Sequence, residues 1–248
     1  MLLENLRIDI SETAREAGEK AGRAVEAKLL ELQAVQDEIR VIFAAAPSQD
    51  YILGYLSQSK QIDWSKIVAF NMDEYIGLPN GAKQAFSNYL EDTLFKFVTP
   101  RAKYFINPSG TVDEELSRVT ALIAEKPIDV VCLGIGQNGH IAFNDPPVAD
   151  FNDQQVIKEV ELDQVCRMQQ VIDGCFVDIN QVPTHALTLT IPTIMKASSL
   201  YCVVVGEHKA EAVKHTISSE ITTRWPSTIL REHADCQFFF DEAACPQV

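Results

Sequence analysis

Residues 134–145, GIGQNGHIAFND, set an imidazole among polar side chains on a glycine-rich loop. His140 has Asn138 two residues before it and Asp145 five after it. A carboxylate that holds one tautomer of an imidazole lets the ring pass a proton near neutral pH. Gly134, Gly136 and Gly139 permit a tight turn and a close approach of backbone to ligand. A hydrogen-bonded structural histidine on a glycine loop fits the same residues, and the stretch alone does not choose between them. Adjacent acids stand elsewhere, at Asp73 and Glu74, just past an apolar run at 66–71. Burying such a pair costs about several kcal/mol unless it is partnered, so Asp73 is a candidate general base and Glu74 a candidate substrate contact. Against this, Asp73 suits a turn cap and Glu74 a solvent-facing position. An anion has two candidate cradles. One is Ser48, Gln49 and the amides after Pro47, where a strand opens into a helix whose first N–H groups are unpaired. The other is Lys209, in the first turn of a helix, where a lysine is unusual for dipole reasons. A helix cap at Ser48 and a solvated lysine at 209 are the plain alternatives.

These residues need a scaffold that brings strand ends together. The run at 128–133, bounded by Pro127 and Gly134, reads as a buried strand of a parallel sheet. Further strands are expected at 39–45, 66–71, 103–106, 157–162, 186–191, 200–205 and 236–240. Helices are expected at 11–37, 50–56, from 86, 112–125, 166–172 and from 208. The alternation predicts an α/β fold with a mostly parallel sheet and right-handed crossovers, whose sites lie past the carboxyl ends of the strands. Residues 151–180 are more polar and less periodic, and are expected to form a lid-like insertion at the mouth of the site. The glycines at 134, 136 and 139 are spaced G-x-G-x-x-G, but they lie outside the first βα unit and His140 follows where a packed helix is required, so NAD is not expected.

Composition narrows the function. The chain of 248 residues, 46% hydrophobic and 23% charged, has no linker that divides it, and one domain spanning 1–248 is expected. No apolar stretch reaches bilayer length, and the charged first residues do not resemble an export signal, so no membrane association and a cytoplasmic location are expected. A net charge of -14 argues against nucleic acid as a partner. Cys132, Cys166, Cys175, Cys202, Cys236 and Cys245 lie singly, without metal-ligand spacing, and reduced thiols are expected.

Three blocks in order, FNMDEYIGLP at 70–79, LGIGQNGHIAFNDPP at 133–147 and VPTHALTLTIPTIM at 182–195, resemble the glucosamine-6-phosphate deaminase/isomerase family. The similarity runs collinearly from about residue 35 to 243. The resemblance implies a Rossmann-like α/β/α sandwich that converts an aldosamine 6-phosphate to a ketose 6-phosphate with release of ammonia, using no metal or organic cofactor. It implies that Asp73 is the general base between C2 and C1, that His140 assists ring opening, and that Lys209 belongs to the phosphate site. Asp145 stands where the family usually has glutamate, and Asn138 where members have aspartate or asparagine. Two departures touch the phosphate. AAAPSQ at 44–49 replaces the family's Thr-Gly-Gly or Thr-Gly-Ser cradle, and VIDGCF at 171–176 lacks the family's arginine, with Arg167 nearby but not aligned. A 6-phosphogluconolactonase-like hydrolase and a non-catalytic sugar-phosphate sensor are the alternatives. Homo-oligomerisation is a further possibility that the residues leave open.

Overall fold

A computed structural model describes residues 6–79, 81–172 and 174–245. In chain order the strands are β1 (Arg7–Ser11), β2 (Ile39–Phe43), β3 (Ile67–Asn71), β4 (Asp73–Tyr75), β5 (Ala102–Lys103), β6 (Val130–Leu133), β7 (Ile157–Glu161), β8 (His185–Leu189), β9 (Ser199–Val204) and β10 (Cys236–Asp241). The α-helices are α1 (Ala14–Gln33), α2 (Asp50–Gln58), α3 (Phe86–Leu90), α4 (Val112–Glu125), α5 (Gln164–Ile172), α6 (Ile191–Met195) and α7 (Ala210–Ser218). Seven strands form a parallel sheet in the order β1-β10-β9-β6-β2-β3-β5. Its inner strands, such as IRVIF and VVCL, are buried throughout because helices cover both faces. On one face Val25 and Leu29 of α1 and Ile52, Leu53 and Leu56 of α2 pack on Val41, Phe43 and Val130. On the other, Val119 of α4 and Ala212, Val213 and Ile217 of α7 pack on Ile42, Val131 and Leu133. Strand order reverses between β2 and β6, which opens a crevice at their carboxyl ends.

Several sequence expectations change. The long helix at 11–37 is shorter: Thr13 caps α1 by accepting from the Glu16 amide, and Ser11 ends β1. The alternating, half-buried Ile8 and Ile10 pair in parallel with β10 at the sheet edge, a period-2 pattern too short to stand out beside a strong helix signal. The strand expected at 186–191 leaves the parallel sheet. As β8 it is the centre of a separate antiparallel sheet, β4-β8-β7, whose register sets Asp73 opposite Thr188. The polar stretch 151–180 supplies β7 of that sheet and α5. Asn80 and Asp173 lie outside the described residues. No described helix is long and apolar enough to cross a membrane.

Candidate active site

The ends of four strands wall a cavity of about 250 Å³. Ala44–Ser48 follow β2, Met72 and Asp73 follow β3, Gly134–Gly136 and His140 follow β6, and Val205, His208 and Lys209 follow β9. Gln169 and Gln170 of α5, with Cys175, Phe86 and Phe143, close the remaining sides. Glycine is required at 136, since a Cβ there would lie 2.1 Å from the His140 ring. Gly139 takes φ +76°, and a Cβ on it would press on Ser227 and Trp225. Ala142, also in the cavity wall, has φ 52°, a conformation that costs a non-glycine residue on the order of 1 kcal/mol and must be held by its surroundings. Those surroundings are Asn144, whose Nδ2 donates to the carbonyls of Ile141 (3.0 Å) and Leu189 (2.8 Å), and Thr188, whose Oγ1 accepts from the Phe143 amide at 3.1 Å. Because Thr188 is also the register partner of Asp73, the small sheet fixes the histidine loop relative to that acid.

His140 Nδ1 lies 3.0 Å from Asp145 Oδ1. Asn138 Nδ2 donates to the same oxygen at 2.8 Å, and Asn138 Oδ1 accepts from the His140 amide at 3.1 Å. Burial raises the Asp145 carboxyl, but the His140 charge and the hydrogen bonds from His140 and Asn138 outweigh it and hold the group below its ordinary value. With Asp145 ionised and its Oδ1 accepting from Nδ1–H, Nε2 is the ring nitrogen free to exchange a proton. Asp73 is held the opposite way. Burial first, then the nearby charges of Glu74 and Asp145, push its carboxyl well above the ordinary value. No hydrogen bond to its carboxyl is found among the described residues, so it is a desolvated acid facing a cavity, which makes its ionised form the stronger base. Its backbone is pinned by Asn71, whose Nδ2 donates to the Asp73 carbonyl at 2.8 Å.

The structure thus brings Ser48, Asp73, Gly136, His140 and Lys209 to one cavity, with Asn138 and Asp145 directly behind His140. Three residues expected to contact substrate, Glu74, Gln49 and Gly139, are not among those that line the cavity. Glu74 points away from the cavity and accepts from the amides of Tyr75 (3.0 Å), Phe86 (3.0 Å) and Ser87 (2.9 Å), so it caps α3 instead. Gln49 is wholly buried behind Ser48, with Nε2 donating to the Leu133 carbonyl at 3.3 Å. Gly139 faces Trp225 and Ser227 and serves the turn. The Arg167 guanidinium donates to the carbonyls of Ile179 and Val182 and does not line the cavity. Sequence reasoning missed His208, whose only signal was its place beside Lys209. It also missed Gln169, Gln170 and Cys175, which carry no motif. Among the described residues no cluster of His, Cys, Asp and Glu is arranged to hold a metal ion.

The profile of the family described as glucosamine-6-phosphate isomerases/6-phosphogluconolactonase matches residues 12–238. A glucosamine-6-phosphate deaminase of Bacillus cereus strain B4264 is 34% identical over 188 residues, covering 75% of this chain and 70% of its own. That of Bacillus cytotoxicus is 35% identical over the same length and coverage. Among solved structures, a monomeric glucosamine-6-phosphate deaminase superposes with a TM-score of 0.87 at 24% identity, covering 96% of this chain and 98% of its own. A 6-phosphogluconolactonase from Thermotoga maritima superposes with a TM-score of 0.77 at 16% identity, covering 95% and 99%. At these identities the structural likenesses bear on the fold.

Proposed function

Since the chain belongs to the glucosamine-6-phosphate isomerase/6-phosphogluconolactonase family, we infer that the cavity isomerises and deaminates an amino-sugar 6-phosphate, giving a ketose 6-phosphate and ammonia. The observation that carries this reading is the pairing in one cavity of a desolvated carboxylate, Asp73, with an imidazole braced by a carboxylate, His140 with Asp145. Isomerisation needs both. His140, through Nε2, takes the proton of the C1 hydroxyl and delivers it to the ring oxygen as the bond from C1 to that oxygen breaks, leaving an aldehyde at C1. Asp73 then removes the C2 proton, and the electron pair forms an enediol-type intermediate in which C2 still bears nitrogen. Return of the proton to C1 leaves a C2 imine, and water replaces nitrogen there to give the ketone and ammonia. C2 is oxidised from the amine to the ketone level while C1 is reduced from the aldehyde to the alcohol level in the same molecule, so the site needs no oxidant or reductant.

The phosphate is assigned to Lys209, Ser48, the amides after Pro47 and His208, which line the same cavity where a short 3-10 turn, Pro47–Gln49 or Glu207–Lys209, leads into α2 or α7. This gives a cation for the anion within an acidic molecule, without the glycine cradle or the arginine of the family pattern. The segment 151–180, through α5, is assigned the role of covering the sugar. A lactonase reading is second: lactone hydrolysis calls on an imidazole to activate water but gives no role to a carboxylate with a raised proton affinity at Asp73. A panel of glucosamine 6-phosphate, galactosamine 6-phosphate, the unphosphorylated amino sugars and 6-phosphogluconolactone tests the assignment. Ammonia and ketose from an amino-sugar phosphate are expected; turnover of the lactone alone would replace this reading with the second.

A further inference from the structure

We propose that Gln49 is a positioning residue for the anion, its buried side-chain amide fixing the Ser48 hydroxyl as a hydrogen-bond donor into the cavity. The proposal rests on the phosphate assignment given above. Ser48 is half-buried and lines the cavity, while Gln49 behind it is wholly buried. The turn at Pro47–Gln49 has few donors to offer an anion. Pro47 has no N–H, the Gln49 amide donates to the Ala46 carbonyl at 2.8 Å, and the Asp50 amide donates to the Pro47 carbonyl. The amide and the hydroxyl of Ser48 are the donors that remain. A hydroxyl both donates and accepts, so its use to an anion depends on which way its hydrogen points.

Gln49 decides that direction. Its Nε2 donates to the Leu133 carbonyl and to Ser48 Oγ, each at 3.3 Å. Leu133 ends β6 and pairs with Cys202 of β9, so its carbonyl is fixed in place and turns the nitrogen of the amide, not the oxygen, to this side. Both hydrogens of Nε2 are then committed, one to each partner. With one lone pair of Oγ taken by that N–H, the Ser48 hydrogen points elsewhere, and among the described residues no acceptor takes it. It is left for a ligand group that only accepts, such as a phosphate oxygen. Gly134 leaves room for the pair, since a Cβ there would lie 3.2 Å from both Gln49 Nε2 and Ser48 Oγ. Packing does not call for an amide at this position. Gln49 Oε1 is buried with no hydrogen bond among the described residues, a cost that a methionine of similar length would not carry.

Calorimetric titration of the full chain with inorganic phosphate, on the unmodified protein, Ser48→Ala, Gln49→Met and the double variant, separates positioning from packing. Each single change is expected to weaken binding on the order of tenfold, and the double variant to bind no more weakly than Ser48→Ala alone, because Gln49 acts through the hydroxyl. Losses that multiply in the double variant overturn the proposal, since Gln49 would then act without the hydroxyl. Unmodified affinity in Gln49→Met, or an unmodified protein that binds no phosphate, overturns it too. Should Gln49→Met fail to fold, nitrogen-15-edited NMR of the unmodified protein and Ser48→Ala, without ligand, serves instead. Movement of one of the two Gln49 side-chain amide protons in Ser48→Ala supports the contact, and two unmoved protons overturn it. Phosphate binding needs no turnover. Coupled losses in a protein inert toward amino-sugar phosphates therefore sink the functional reading alone, and multiplied losses in an active deaminase sink the role of Gln49 alone.

Discussion

Asp73→Asn is expected to destroy activity and raise stability at once. Asp73 is buried, receives no hydrogen bond among the described residues, and sits in the field of Glu74 and Asp145, so its charged form is penalised in the folded state. A folded carboxyl raised above its unfolded value contributes stability that is fully present below the unfolded value, about pH 3.9, and is lost as pH rises through the raised folded value. Each unit of such a rise is worth about 1.4 kcal/mol at pH above both values. An amide of the same shape carries no charge to desolvate, and relief of a poorly compensated buried charge gains about 1–4 kcal/mol. In a chain of this size about 1 kcal/mol corresponds to about 2–4 °C in Tm. Thermal unfolding of Asp73→Asn should therefore lie several degrees above the unmodified protein at neutral pH, with the gap closing as pH falls toward the unfolded value. Turnover should drop on the order of a hundredfold or more while the sugar still binds. A variant that is less stable at neutral pH, or a stability gap independent of pH, would refute the desolvated-base argument; near-normal activity would refute the role.

The remaining expectations follow from the same geometry. Because Asp73 acts only when ionised and its carboxyl is raised, the acid limb of kcat/KM should lie above the range of ordinary carboxylates; a limb inside that range would contradict the raised base. His140→Gln should slow a cyclic amino-sugar phosphate on the order of a hundredfold and leave an open-chain analogue far less affected, as read by initial rates on the two; equal losses would separate His140 from ring opening. Lys209→Met should raise KM for phosphorylated sugars about tenfold or more and leave unphosphorylated ones unchanged; an unchanged KM for the phosphate ester would remove the lysine from the anion site. Glu74→Ala should cost about 1–3 kcal/mol in denaturant unfolding through loss of the α3 cap, with KM little altered; a purely kinetic effect would restore Glu74 to the substrate.

The parallel sheet was legible because its strands carry short apolar runs, such as VVCL and the VIF of β2, followed by glycine or proline, and because the polar residues that matter follow directly at their ends. The small antiparallel sheet was not. Its edge strand β4 is three residues long and consists of Asp73, Glu74 and Tyr75, so no periodicity could form and the acids read as loop. For the same reason Glu74 looked like a site residue, when its role depends on α3, whose first amides reach it from 12 and 13 residues away. His140 with Asp145 could be paired from spacing because both lie on one short loop. Gln169 and Gln170 reach the cavity only through the way α5 docks, and that is set by tertiary packing that no local motif encodes.

His140 opens the ring of the amino-sugar 6-phosphate, and Asp73 moves the C2 proton to C1 so that nitrogen is released from C2. Carbon-13 NMR of glucosamine 6-phosphate labelled at C2, followed in real time with the unmodified protein and with Asp73→Asn, tests it most directly. The account predicts that with the unmodified protein the label passes from a nitrogen-bearing CH to a ketose carbon with no attached proton as an equal amount of ammonia accumulates, and that Asp73→Asn leaves the signal in place. A label that stays on the CH with the unmodified protein, or that moves equally fast with Asp73→Asn, would contradict it.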